Sequence, residues 1–133
     1  MNQLIKITEL DFTTLHFYEK CVVSVIKEDV NVDQDALEKL WAAMEDFYKD
    51  KLYGYISDRK NHYSVNPLIH INSSKTPTLV GMAIVCNSHL KEMTAAFEKR
   101  FFAKPFQIFN DLNLAKIWMD SLVDEMNTYQ EID

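Results

Sequence analysis

The chemically densest stretch of this chain runs from residue 57 to 67 and reads SDRKNHYSVNP. Arg59 offers a planar fork that matches a carboxylate or phosphate, Tyr63 a ring with a polar tip, and Ser64 a hydroxyl just ahead of a helix start. With Ser57, Asn61 and Asn66 these side chains make a candidate binding site for an anion or a protein partner. The competing reading is structural: Arg59 pairs with Asp58 or another acid, Tyr63 packs, and Ser64 or Asn66 caps the next helix. Ser64, His62 and Asp58 are also the ingredients of a nucleophilic triad. Neighbouring side chains point apart, however, and no G-x-S-x-G elbow lifts the serine into the open. The four histidines, His16, His62, His70 and His89, follow no metal-ligand spacing, and Cys21 and Cys86 lie far apart in apolar runs, where a thiol behaves as a small hydrophobe. No catalytic residue, metal or cofactor is expected.

Composition excludes several common chemistries. The chain has 133 residues and only 2 glycines, Gly54 and Gly81, where average usage would supply about nine. Phosphate-cradling loops need two or three closely spaced glycines, because backbone must approach phosphate at each one. Neither a Walker loop nor a dinucleotide loop can be built. Twenty acidic against 14 basic residues give a net charge of −6, which argues against nucleic acid as a partner. Lys6, Glu9 and Asp11 interrupt any leader-like apolar run, and the charge-free run from Leu79 to Cys86 is too short to span a bilayer. One domain over residues 1–133, in the cytoplasm and without a membrane span, is the expectation.

The elements that must position the dense loop can be read from periodicity. Leu4 to Leu10, Thr14 to Glu19 and Cys21 to Lys27 predict three antiparallel strands, the third apolar on both faces and so internal. Leu37, Leu40, Trp41, Met44, Phe47 and Tyr48 lie on one face of a helix capped by Asp33 and stapled by Val32 on Leu37. LYGYIS predicts a strand and PLIHIN a short helix, and Thr78 to Cys86 a buried parallel strand in which Gly81 admits a close helix. Ser88 opens a helix whose inward face is expected at Leu90, Met93, Phe97 and Phe101. Strand PFQIF follows, then a last helix opened by Asn110 or Asp111, with Leu114, Ala115, Trp118, Leu122 and Met126 inward and a frayed tail from about 127. The strand-helix alternation after residue 33 implies parallel βαβ units. The fold class is therefore α/β: a mixed sheet of about five or six strands, antiparallel at the N-terminal edge and flanked by helices.

At YISDRKNHYSVNP, GMAIVC and FQIFNDLNLAKIWM the chain resembles the small bacterial SpoIIAA-like group, STAS-like in the sense of anti-sigma-factor antagonists. The features that carry this are the last strand ending in Ile108 and Phe109, the Asp111-Leu112 helix opening, and the spacing of Ala115 and Trp118. The resemblance implies a four- or five-stranded sheet with helices and a role in binding or regulation. True antagonists carry their phosphoacceptor in an Asp-Ser-(Ser/Gly)-Gly turn, which this chain lacks. Ser64 is the nearest positional substitute. The group is also similar in fold to lipid-carrying CRAL-TRIO domains, which suggests an apolar cavity by analogy.

In a sheet of this kind ligands bind beyond the carboxyl ends of the parallel strands. The segments there are 28–33, 57–67, 86–88 and 109–112. Three functions compete for them. The first is a noncatalytic regulatory module that takes a protein partner on the loop holding Arg59 and Tyr63. The second is a carrier of a small amphipathic acid held by Arg59, and the third a small hydrolase using Ser64. A homodimer is expected from small size and the 8 Phe, 6 Tyr and 2 Trp.

Overall fold

The computed structural model describes residues 3–132, with side chains described to residue 130. Strands β1 (Lys6–Glu9), β2 (Thr13–Phe17) and β3 (Cys21–Ile26) form an antiparallel meander, and the two-residue strand β4 (Asn31–Val32) precedes helix α1 (Gln34–Tyr48). Then follow β5 (Tyr53–Asp58), the short β6 (Ser64–Val65), α2 (Ile69–Ser73), β7 (Leu79–Val85) and α3 (His89–Glu98). A 3-10 turn at Lys99–Phe101, β8 (Phe106–Phe109) and α4 (Leu112–Ile132) complete the chain.

Six strands make one sheet in the order β1-β2-β3-β5-β7-β8. Pairing is antiparallel from β1 to β3 and parallel from β3 to β8, as the alternation of elements requires. The small parallel pair β4-β6 was not anticipated, because two-residue strands carry no periodicity. It ties segment 28–33 to segment 57–67, with Asp29 N–H donating to His62 O at 2.7 Å and Ser64 N–H to Val30 O at 2.9 Å.

Strand parity sorts the core into two layers. Leu15, Phe17, Val22, Tyr53, Tyr55 and Ile84 face α1 and α3, whereas Cys21, Val23, Ile56, Ala83 and Val85 face α4. Both thiols are buried and free. The register slips by one residue between β5 and β7, so that Gly54 lies opposite Gly81. Both glycines sit under α4: a Cβ on Gly54 would stand 2.0 Å from Met119 Sδ, and one on Gly81 2.6 Å from Leu122 Cδ2. Close helix-on-sheet contact at Gly81, expected from the sequence, is what the structure has.

Caps form where the sequence places them. Asp33 Oδ1 accepts from Ala36 N–H at 2.9 Å, Ser88 Oγ from Lys91 N–H at 3.2 Å, and Asp111 Oδ1 from Leu114 N–H at 3.1 Å. Two inward faces differ from expectation. On α3, Leu90, Met93 and Phe97 are 73%, 58% and 49% exposed, and Ala95 and Glu98 are buried instead. At 100° per residue these two sets lie over a quarter-turn apart. The rotation brings Glu98 onto the buried Arg59, which unpaired would cost several kcal/mol, and leaves the apolar line facing outward. On α4 the buried line is Ala115, Met119 and Val123, while Leu114 and Met126 are exposed and Trp118 and Leu122 are half-buried. The glycine notches under Met119 and Leu122 set that rotation.

Candidate functional site

Parity along β5 also governs the site. Tyr53, Tyr55, Ser57 and Arg59 alternate onto the α1 face, so the guanidinium of Arg59 enters the layer between sheet and helices rather than solvent. There it meets Glu98 of α3, which is 1% exposed. Arg59 Nη2 donates to Glu98 Oε1 at 2.7 Å and Nη1 to Oε2, a bidentate pair. His70 Nε2 of α2 donates to the same Oε1 at 2.7 Å. Arg59 Nε reaches Ser57 Oγ at 3.4 Å, and Ser57 Oγ shares a hydrogen bond with Tyr63 Oη at 3.0 Å. The guanidinium also stands 5.7 Å from the Tyr63 ring centroid.

This cluster is electrostatically settled. Burial alone would raise the Glu98 carboxyl, but the hydrogen bonds and charge around it hold it down at about 2. Burial works against the Arg59 charge as well, and the Glu98 bonds outweigh it and raise its pKa. Desolvation pushes the Tyr55 and Tyr63 phenols up, so both stay neutral. His70 Nδ1 is the cluster's one buried atom without a partner. A cavity of ≈ 40 Å³ adjoins it, lined on one side by Leu37, Leu40, Trp41 and Met44 of α1 and on the other by Tyr55, Arg59, Tyr63 and His70.

The remaining candidates divide between turn, anchor and surface. Asn66 Oδ1 accepts from Leu68 N–H at 3.0 Å in the turn ahead of α2, and Asn61 Nδ2 donates to Ile26 O at 2.9 Å, anchoring the loop to β3. Ser64 lies in β6, exposed, and its hydroxyl donates to Asn31 Oδ1 at 3.1 Å; it caps no helix. No hydrogen bond joins Ser64 to His62 or Asp58 among the described residues, so the triad ingredients do not assemble. Arg59 is an interior group and Tyr63 is half-buried beside it, and the carboxylate that Arg59 was expected to hold is supplied by Glu98 of the same chain.

Outside this anchored interior the loop opens two hollows on the sheet's carboxyl rim. One of ≈ 330 Å³ lies between Asn61, His62 and Ser64 and the start of α3 at Ser88, Leu90, Lys91 and Thr94. The other, ≈ 360 Å³, lies between Asp58, Lys60, Cys86 and Asn110. Crossovers thus bring segments 57–67, 86–88 and 109–112 to one end of the molecule. Burial raises the Cys86 thiol, which removes it as a ready nucleophile there.

Sequence reasoning missed Glu98 and His70. Glu98 shares a face of α3 with Lys91 and Ala95, too little to mark an inward acid, and His70 carries no local signal at all. The stronger apolar line at Leu90, Met93 and Phe97 hid that face.

The fold is SpoIIAA-like. The chain superposes on the crystal structure of an uncharacterised protein of the DUF3478 family, described as having a SpoIIAA-like fold, from Shewanella loihica PV-4. The match covers 90% of this chain and 95% of that one, with a TM-score of 0.55 and 12% sequence identity. No protein-family model matches the sequence, and no curated protein matches it. No helix among the described residues is long and apolar enough to cross a membrane.

Proposed function

We propose that the chain is a noncatalytic regulatory module that takes a protein partner on the rim formed by the 57–67 loop and the neighbouring helix α3. The observation that carries this is a loop tied internally by hydrogen bonds and set beside a helix whose apolar line points outward. Arg59 and Ser57 hold the loop from within, and Tyr63 and Asn61, half-buried, tie it down while lining the hollow on the rim. His62, Ser64 and Asn66, with Leu90, Met93 and Phe97, are the exposed groups that meet the partner.

An amphipathic-acid carrier is less well supported. Glu98 occupies the arginine fork, and ≈ 40 Å³ of cavity is room for little more than a water or two, since a dry site that takes benzene measures about 150 Å³. A hydrolase using Ser64 lacks a base at its hydroxyl. The test is affinity capture from the source cell with the wild-type chain and a Met93→Asp/Phe97→Ser double variant as baits. Loss of a defined partner from the variant, with its circular dichroism spectrum unchanged, is expected. Equal recovery of every partner by both baits would remove this assignment.

A further inference from the structure

The charges of this chain are divided along the sequence. Residues 59–110 hold 7 of the 14 basic residues and 2 of the 20 acidic ones, net +5, and the other 81 residues hold 7 and 18, net −11. One of the two acids, Glu98, is buried on Arg59, which leaves Glu92 as the only exposed acid of that segment. The same segment carries Leu68 just ahead of α2, Ile71 in α2, and Leu90, Met93 and Phe97 of α3, all exposed. The His70 to Glu98 hydrogen bond ties α2 to α3 on their inner sides. The Arg100 guanidinium lies 5.8 Å from the Phe97 ring centroid, and Lys99 beside it is exposed.

Leu90, Met93 and Phe97 follow a spacing of three and four, the seam by which one helix packs along another. Arg100 lies against the C-terminal end of this seam, with Lys99 next to it in sequence, and a cation there selects against a cationic partner and favours carboxylates at that end of the incoming helix. Resting on the rim reading above, we infer that the partner segment is an acidic amphipathic helix, laid along α3 with its apolar side on Leu90, Met93 and Phe97 and its carboxylates toward Lys99 and Arg100. A second copy of this chain fits less well. Its acidic surfaces lie elsewhere than this one, so the contact would be head-to-tail and would not close into a dimer.

The experiment is fluorescence anisotropy with three probes. They are a labelled peptide of about 20 residues, long enough to form helix, with a Leu/Phe seam and Glu flanks; the same seam with Lys flanks; and phosphatidylglycerol vesicles. Binding of the Glu peptide is expected, weakened several-fold by raising salt from about 0.1 to 0.5 M and at least about tenfold by Met93→Asp/Phe97→Ser. Arg100→Glu should reverse the preference toward the Lys peptide. Equal or tighter binding of the Lys peptide by the wild type, vesicle binding without Glu-peptide binding, or self-association abolished by the same substitutions would overturn the inference. Those outcomes leave the rim reading standing if the capture experiment still loses a partner. Loss of no partner there, with Glu-peptide binding intact, would mark the opposite failure.

Discussion

Replacing Glu98 with glutamine tests the interior of the site directly. The substitution keeps the side-chain shape and removes the charge, leaving the Arg59 guanidinium buried without an anion. Breaking a buried ion pair from one side costs about 3–5 kcal/mol, which for a domain of this size lowers the melting temperature by about 10–20 °C. The pH dependence is the sharper readout. The Glu98 carboxyl is held at about 2 in the folded chain against an ordinary value of 4.5, a difference equivalent to about 3 kcal/mol. Because the folded value is depressed, this stabilisation is complete above pH 4.5 and is lost as pH falls through 4.5 toward 2, with more than half of it gone by pH 3. Glutamine has no such titration. Urea unfolding followed by circular dichroism at pH 7, 5 and 3 should therefore show the wild type ahead at pH 7 and the gap closing by about 3 kcal/mol toward pH 2. Equal stabilities at pH 7, or a gap that does not change with pH, would refute the account of the Arg59–Glu98–His70 cluster.

Other expectations follow from single contacts. Gly54→Ala overpacks the notch at Met119 and should cost about 1–3 kcal/mol, and Met119→Ala in the same chain should recover part of that loss in a double-mutant cycle measured by urea unfolding. Asp33→Ala removes the N-cap of α1 and should cost about 1 kcal/mol, read as a shift in the thermal midpoint. Burial raises Cys21 to about 12 and Cys86 upward as well, so Ellman's reagent should find neither thiol in the native chain and both in urea. A fluorophosphonate probe should leave Ser64 unlabelled, and labelling would return a hydrolase to consideration.

What the sequence made legible was local or periodic. The doubly apolar runs at Cys21 to Ile26 and Leu79 to Val85 identified internal strands, and Asp33, Ser88 and Asn110 or Asp111 marked helix starts, because such signals depend on a few neighbouring residues. The polar interior was not legible. Arg59 and Glu98 are 39 residues apart and His70 and Glu98 28, and nothing local distinguishes an inward glutamate from a solvated one. The apolar line on α3 illustrates the same limit from the other side. Hydrophobic spacing shows that a helix has a sticky face, but whether that face meets the molecule's own sheet depends on what else the helix must deliver. Ser64 was displaced from its expected capping role by the β4-β6 pair, a tertiary feature too short to leave a pattern.

The Gly54-Gly81 pair has a consequence at the far end of the molecule. Met119 and Leu122 seat in two adjoining hollows of the sheet like teeth in a rack, so α4 cannot slide by a turn without leaving both empty. The helix is thereby indexed along its own axis, and its first turn, which carries Asp111 and Leu112, is held at a fixed height on the rim. Two missing methyl groups in the middle of the sheet thus set the level of one wall of the surface where a partner would arrive.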